Sequence, residues 1–169
     1  VDSWQASADK LTWTFALRDG LKFHDDAPVT AADVVASLKR WAARDPLGKM
    51  LMADTAMLDA RDARTFAFGL KQPFPMILDV LGKPNAPLPV IMPARIAATP
   101  ATQQIAEPIG SGPFRFVKSE WRPGHAMVLE RGVTDAVINR GYNERLGARP
   151  MRDAAECMEV DVRDELRAD

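Results

Sequence analysis

Leu11-Thr12-Trp13-Thr14-Phe15-Ala16-Leu17 runs directly into Arg18-Asp19-Gly20, Leu21-Lys22-Phe23 and His24-Asp25-Asp26-Ala27-Pro28. The first seven residues alternate large apolar with small or hydroxylated side chains, the period of a half-buried strand. Arg18-Asp19-Gly20 is a turn, with Gly20 free to adopt positive φ. Leu21–Phe23 is a short extended piece, and His24–Pro28 is a second turn. Helical periodicity begins at Thr30. Its hydroxyl is placed to accept the Asp33 N–H, with Asp33 in the reciprocal position of a capping box. Val34, Val35, Leu38, Trp41 and Ala42 then form one apolar stripe. Lys39, Arg40 and Arg44 suit the helix C-terminus, and Asp45-Pro46 ends the helix.

Outward from this strand–turn–helix unit the chain stays mixed. A shorter helix is expected from Leu47 to about Asp54. Met57–Asp59 and Arg64–Lys71 read as a hairpin turning at Ala60-Arg61-Asp62-Ala63, with Phe66, Phe68 and Leu70 on one face. Pro75 is expected to open a helix that carries Ile77, Leu78, Val80 and Leu81 and stops at Gly82. Prolines at 84, 87, 89 and 93 make the next stretch irregular. A helix is expected from Pro93 to about Gln104. Gly110-Ser111-Gly112-Pro113 is a turn, and Phe114–Lys118 and Met127–Arg131 are strands joined through Trp121-Arg122-Pro123-Gly124. The count is about six short strands and four helices, or six helices with two candidate stretches in the tail, at 133–146 and 151–167. This is an α+β fold with mostly antiparallel pairing. After Gly132 proline falls to a single residue, Pro150, so 1–131 and 132–169 are read as two segments.

Composition narrows the functional classes. The chain has 169 residues, with 22 Lys+Arg against 23 Asp+Glu. A net charge of −1 gives no basic field for nucleic acid or an anionic membrane. No apolar run approaches the roughly 18 residues that span a bilayer. Val1-Asp2-Ser3-Trp4 does not read as a signal peptide. The single cysteine, Cys157, excludes an intrachain disulfide and a multi-cysteine zinc site.

Reactive constellations are sparse. His24, Asp25 and Asp26 are adjacent, and neighbouring side chains on extended backbone point to opposite faces, so a turn is favoured over a metal site. His125 falls in a hairpin loop. Gly110-Ser111-Gly112 lacks the G-x-S-x-G of a nucleophile elbow and the lysine of a phosphate loop. The aromatics Trp4, Trp13, Phe15, Trp41, Phe66 and Phe68 are read as core. No nucleophile, base, metal or cofactor set emerges, which disfavours an enzyme.

Taken in order, Ser3-Trp4, Leu11–Phe15, Leu17–Asp25, Pro28–Leu38, Gly110–Phe114 and Val128–Arg131 resemble the family 5 extracellular solute-binding proteins, the dipeptide/oligopeptide-binding components of bacterial ABC transporters. The resemblance covers residues 1–131. It implies the accessory domain, with its borders, of a type II periplasmic-binding-protein fold, in a fragment without the second ligand lobe. It also implies a small peptide or other solute as ligand, an ABC permease as partner, and a periplasmic or extracellular location. By the same resemblance, Leu47, Gly48, Lys49 and Met50, after the first long helix, approach the ligand cleft. Asn85 in the proline-rich stretch is a second candidate, and Gly110, Ser111 and Gly112 are border or hinge residues. Two departures stand out. Asp26 replaces the usual glycine of the His-Asp-Gly turn, and Gly132-Val133-Thr134 replaces the Asn-Pro-aromatic that usually follows. The alternative is an interaction module that associates with itself through apolar surface.

Overall fold

The computed structural model describes residues 1–122 and the backbone of 129–131. All of these lie in one unit, Val1–Gly132. Its centre is a four-stranded antiparallel sheet of β1 (Ser3–Ala6), β2 (Thr12–Ala16), β3 (Thr55–Ala60) and β4 (Thr65–Leu70), in the order β1-β2-β4-β3. The alternation that marked β2 sets its register against β4: Trp13 lies opposite Phe68, and Phe15 opposite Phe66. Phe15 and Phe66 stack with centroids 5.0 Å apart, and Phe68 meets Phe15 edge-on at 6.1 Å. Such pairs add about 1 kcal/mol each beyond the area they bury. The β3–β4 turn is closed by Asp62, whose carboxylate accepts the Arg64 and Thr65 N–H groups at 2.7 and 2.8 Å.

Helix α1 (Ala31–Ala42) lays Val34, Val35, Leu38 and Ala42 into the buried core. Its capping box forms as expected: the Asp33 carboxylate accepts the Thr30 N–H at 2.8 Å, and the Thr30 hydroxyl accepts the Asp33 N–H. Helix α2 (Pro46–Asp54) follows, capped by Asp45, and α3 is Ile77–Leu81. Helices α1 and α2 meet at Gly48, where an added Cβ would lie 2.7 Å from the Ala42 Cα and 3.1 Å from the Trp41 ring. A second, two-stranded sheet pairs β5 (Phe114–Phe116) with β6 (Leu129–Arg131).

Several expectations change. Helix α4 is only Ala94–Ala97, not 93–104, because Pro100 disfavours helical torsions at Thr99 and cannot donate an N–H. Helix α3 starts two residues after Pro75. Leu21–Phe23 contributes one bridge, Lys22 to Pro28. The strand at Phe114 stops at Phe116, and a 3₁₀ turn occupies Lys118–Glu120. Trp4 is not core. Edge strand β1 places it beside Trp13, with centroids 5.4 Å apart, yet leaves it 48% exposed. The loop containing His125 and the helices expected at 133–146 and 151–167 lie outside the described residues.

Two substitutions test this packing by thermal denaturation. Gly48→Ala meets backbone rather than a flexible side chain, and is expected to cost about 1–3 kcal/mol. Asp26 holds φ +65°, so Asp26→Gly is expected to raise stability by about 0.5–1 kcal/mol and Asp26→Val to lower it.

Candidate functional site

A groove of about 730 Å³ lies between α1 and the chain from Pro87 to Phe116. Its walls are mainly apolar, including Leu88, Val90, Ile105, Ile109 and Phe114. Leu88 and Val90 are 46% and 56% exposed. Its volume falls in the range of small-molecule sites, about 300–1,000 Å³.

The groove exists because α1 holds that irregular chain by its backbone. Asp33 accepts the Ala94 N–H at 2.7 Å, and Ser37 both accepts from the Met92 N–H and donates to the Met92 carbonyl, each at 3.0 Å. The Trp41 indole donates to the Pro87 carbonyl at 2.9 Å. Arg40 donates to the carbonyls of Thr99 and Gln103, and Arg44 to that of Ala101. Arg40 and Arg44, expected to serve the helix dipole, thus also secure the groove floor. Sequence reading missed this role because the acceptors are backbone atoms more than fifty residues away.

A buried ion pair fixes the other end of α1. The Asp45 carboxylate is fully buried, accepts the Gly48 N–H at 2.8 Å and pairs with Lys83, whose ammonium stands 5.7 Å from the Trp41 ring centroid. Burial alone pushes this carboxyl up. The hydrogen bonds from Lys83 and the Gly48 N–H, with the Lys83 charge, outweigh it and hold the group below the usual carboxylate range.

The residues singled out from sequence separate in space. Leu47 packs against the core and Gly48 is buried between α1 and α2, while Lys49 and Met50 are exposed on the first turns of α2. Asn85 is exposed. None of these five lines the groove, whereas Gly110, Ser111 and Gly112 do. His24 and Asp25 take part in separate contacts: His24 bonds Gly110 and Gly112, and Asp25 pairs with Arg95 of α4. Among the described residues no three His, Cys, Asp or Glu side chains gather to hold a metal ion. Nor is any described helix long and apolar enough to cross a membrane.

This arrangement of an antiparallel sheet, capping helices and a tethered irregular strap defines the class. The family model for bacterial extracellular solute-binding proteins, family 5 middle, matches residues 1–146. The chain belongs to that family. A "Probable peptide ABC transporter periplasmic-binding protein y4tO" of Sinorhizobium fredii is 42% identical over 131 residues, covering 78% of this chain and 24% of that protein. A "Probable D,D-dipeptide-binding periplasmic protein DdpA" of Escherichia coli K12 is 38% identical over 133 residues, covering 76% and 25%. Among solved structures, the binding protein AgaA of Agrobacterium in complex with agropinic acid superposes with a TM-score of 0.61 at 34% identity, covering 78% of this chain and 26% of that one. NikZ from Campylobacter jejuni in complex with Ni(L-His) gives 0.61 at 25% identity, covering 77% and 26%. The chain therefore spans about a quarter of the length of the relatives it matches.

Replacing Lys83 by Met leaves Asp45 buried without its cation, and is expected to cost about 3 kcal/mol at pH 7. The Asp45 contribution is present above its unfolded value, about 3.9, and is lost as pH falls through the depressed folded value. Urea denaturation from pH 7 to 3 is therefore expected to show the gap between wild type and Lys83→Met narrowing in acid.

Proposed function

We propose that residues 1–131 form the accessory unit, with its borders, of a periplasmic or extracellular receptor. The receptor takes a peptide-type solute and delivers it to a membrane ABC permease. In this reading 132–169 is a separate segment, and the second ligand lobe lies outside these 169 residues. The 42% identity to the Sinorhizobium peptide transporter protein, which extends over 131 residues, carries the reading. The chemistry required is shape, hydrogen bonding and a closure equilibrium biased by ligand, with no bond made or broken.

The unit itself supplies scaffold more than ligand choice. Proteins named for a D,D-dipeptide and solved with agropinic acid or a nickel–histidine complex each match this chain over about a quarter of their own length. Leu47 and Gly48 are engaged in packing. Within the candidate set, Lys49, Met50 and Asn85 thus retain side chains exposed to meet a solute or a facing lobe, and Gly110–Gly112 serve as border or hinge.

Isothermal titration of the receptor that carries this unit is expected to show saturable binding of short peptides. Saturation by an opine or nickel–histidine alone keeps the receptor but overturns the peptide assignment. Saturation by none of these classes overturns both. A second reading, self-association of the isolated chain, is favoured by the exposed Leu88, Val90, Phe114 and Trp121. It predicts sedimentation that shifts to a dimer with concentration, and a monomer throughout removes it.

A further inference from the structure

The two nitrogens of His24 meet partners of opposite kind. Nε2 lies 2.9 Å from the Gly112 carbonyl, and Nδ1 lies 3.4 Å from the Gly110 amide nitrogen. A carbonyl only accepts, so Nε2 carries the hydrogen. An amide N–H only donates, so Nδ1 is bare. One neutral tautomer satisfies both contacts. The main chain repeats the link, since the His24 N–H donates to the Gly110 carbonyl at 2.9 Å. Neither Gly110 nor Gly112 occupies the left-handed region, and a Cβ on Gly112 would meet nothing within 4 Å. Their backbone is thus held by the imidazole rather than by glycine-only torsions.

We infer that His24 is a proton-sensitive latch on the Gly110–Gly112 turn. Protonation places a hydrogen on Nδ1 facing the Gly110 N–H, donor against donor, and opens that contact. The Nε2–H bond to Gly112 survives. The turn is held at two points when the imidazole is neutral and at one when it is charged. Imidazole is the side chain that changes charge between about pH 5 and 8. Lys22, Asp25 and Asp26 flank His24 on its own segment. Arg95 of α4 pairs with Asp25, and Glu107, Arg40 and Arg44 line the same groove from the neighbouring elements. The main-chain and side-chain contacts to Gly110 span more than eighty residues of sequence, so the latch ties the His24–Pro28 turn to the strap at Gly110. The inference stands on these contacts and not on the transport reading.

The test uses the 169-residue chain with His125→Asn, which leaves His24 as the one titrating imidazole. Long-range nitrogen–proton NMR is expected to show the Nε2–H tautomer at high pH. The Gly110 amide is expected to lose about threefold or more of its exchange protection factor as pH falls, with the same midpoint as the His24 ring. His24→Gln, whose amide nitrogen reaches the Nε2 position but supplies no acceptor at the Nδ1 position, is expected to hold the turn at one point at every pH, with Gly110 protection at the low-pH level and independent of pH. An Nδ1–H tautomer, or Gly110 protection that ignores the His24 titration, overturns the inference in the His125→Asn chain itself, whether or not His24→Gln folds.

Discussion

The unit depends on one helix satisfying the backbone of a segment that cannot satisfy itself. Prolines at 84, 87, 89 and 93 deprive the strap of donors and of ladder partners. Its remaining buried polar groups still need hydrogen bonds. Helix α1 supplies them from Asp33, Ser37 and Trp41, which recur every four residues and so share one face. Arg40 and Arg44 extend the same service to the carbonyls of 99, 101 and 103. The adjoining stripe of Val34, Val35, Leu38 and Ala42 belongs to the core, which Trp41 also joins. A single helix therefore holds the sheet by apolar contact and the strap by polar contact.

That division of labour shapes the surface. Where the strap turns its backbone polar groups toward α1, side chains such as Leu88 and Val90 are left outward. The result is an apolar groove with a hydrogen-bonded floor. The arginines of that floor already donate to main-chain carbonyls, so they are committed to structure. The Asp45–Lys83 pair then anchors the entry to the strap against the start of α2. An ion pair in that position costs desolvation, and its geometry specifies where the strap begins more than it stabilises the fold.

Local signals were legible in the sequence. Alternation at Leu11–Leu17 predicted β2, the Thr30/Asp33 pair predicted the start of α1, and Gly82 predicted the end of α3. Each depends on neighbours within a few residues. The failures share one cause, tertiary position. Trp4 has the pattern of a core residue but sits in an edge strand. The groove was invisible because its floor pairs side chains with backbone atoms far along the chain, and backbone carbonyls leave no residue-type signature. Gly110–Gly112 were read by resemblance as border or hinge residues, and their partner His24 was read as one member of a turn.

The turn at His24-Asp25-Asp26 shows how adjacency can mislead about chemistry. Three titratable residues in a row suggest a shared centre, yet successive side chains diverge. His24 is used on the Gly110 turn and Asp25 on Arg95 of α4. Asp26 takes the left-handed torsion that lets the chain reverse, with its N–H donating to the Phe23 carbonyl at 3.0 Å. The reversal is what aims the other two. Because Asp26 tolerates positive φ better than a branched residue would, the turn closes without glycine. Two distant segments, α4 and the Gly110 strap, are then fixed relative to the sheet by side chains one residue apart. A short turn thereby serves as a joint, and its charged residues are accounted for by position rather than by reactivity.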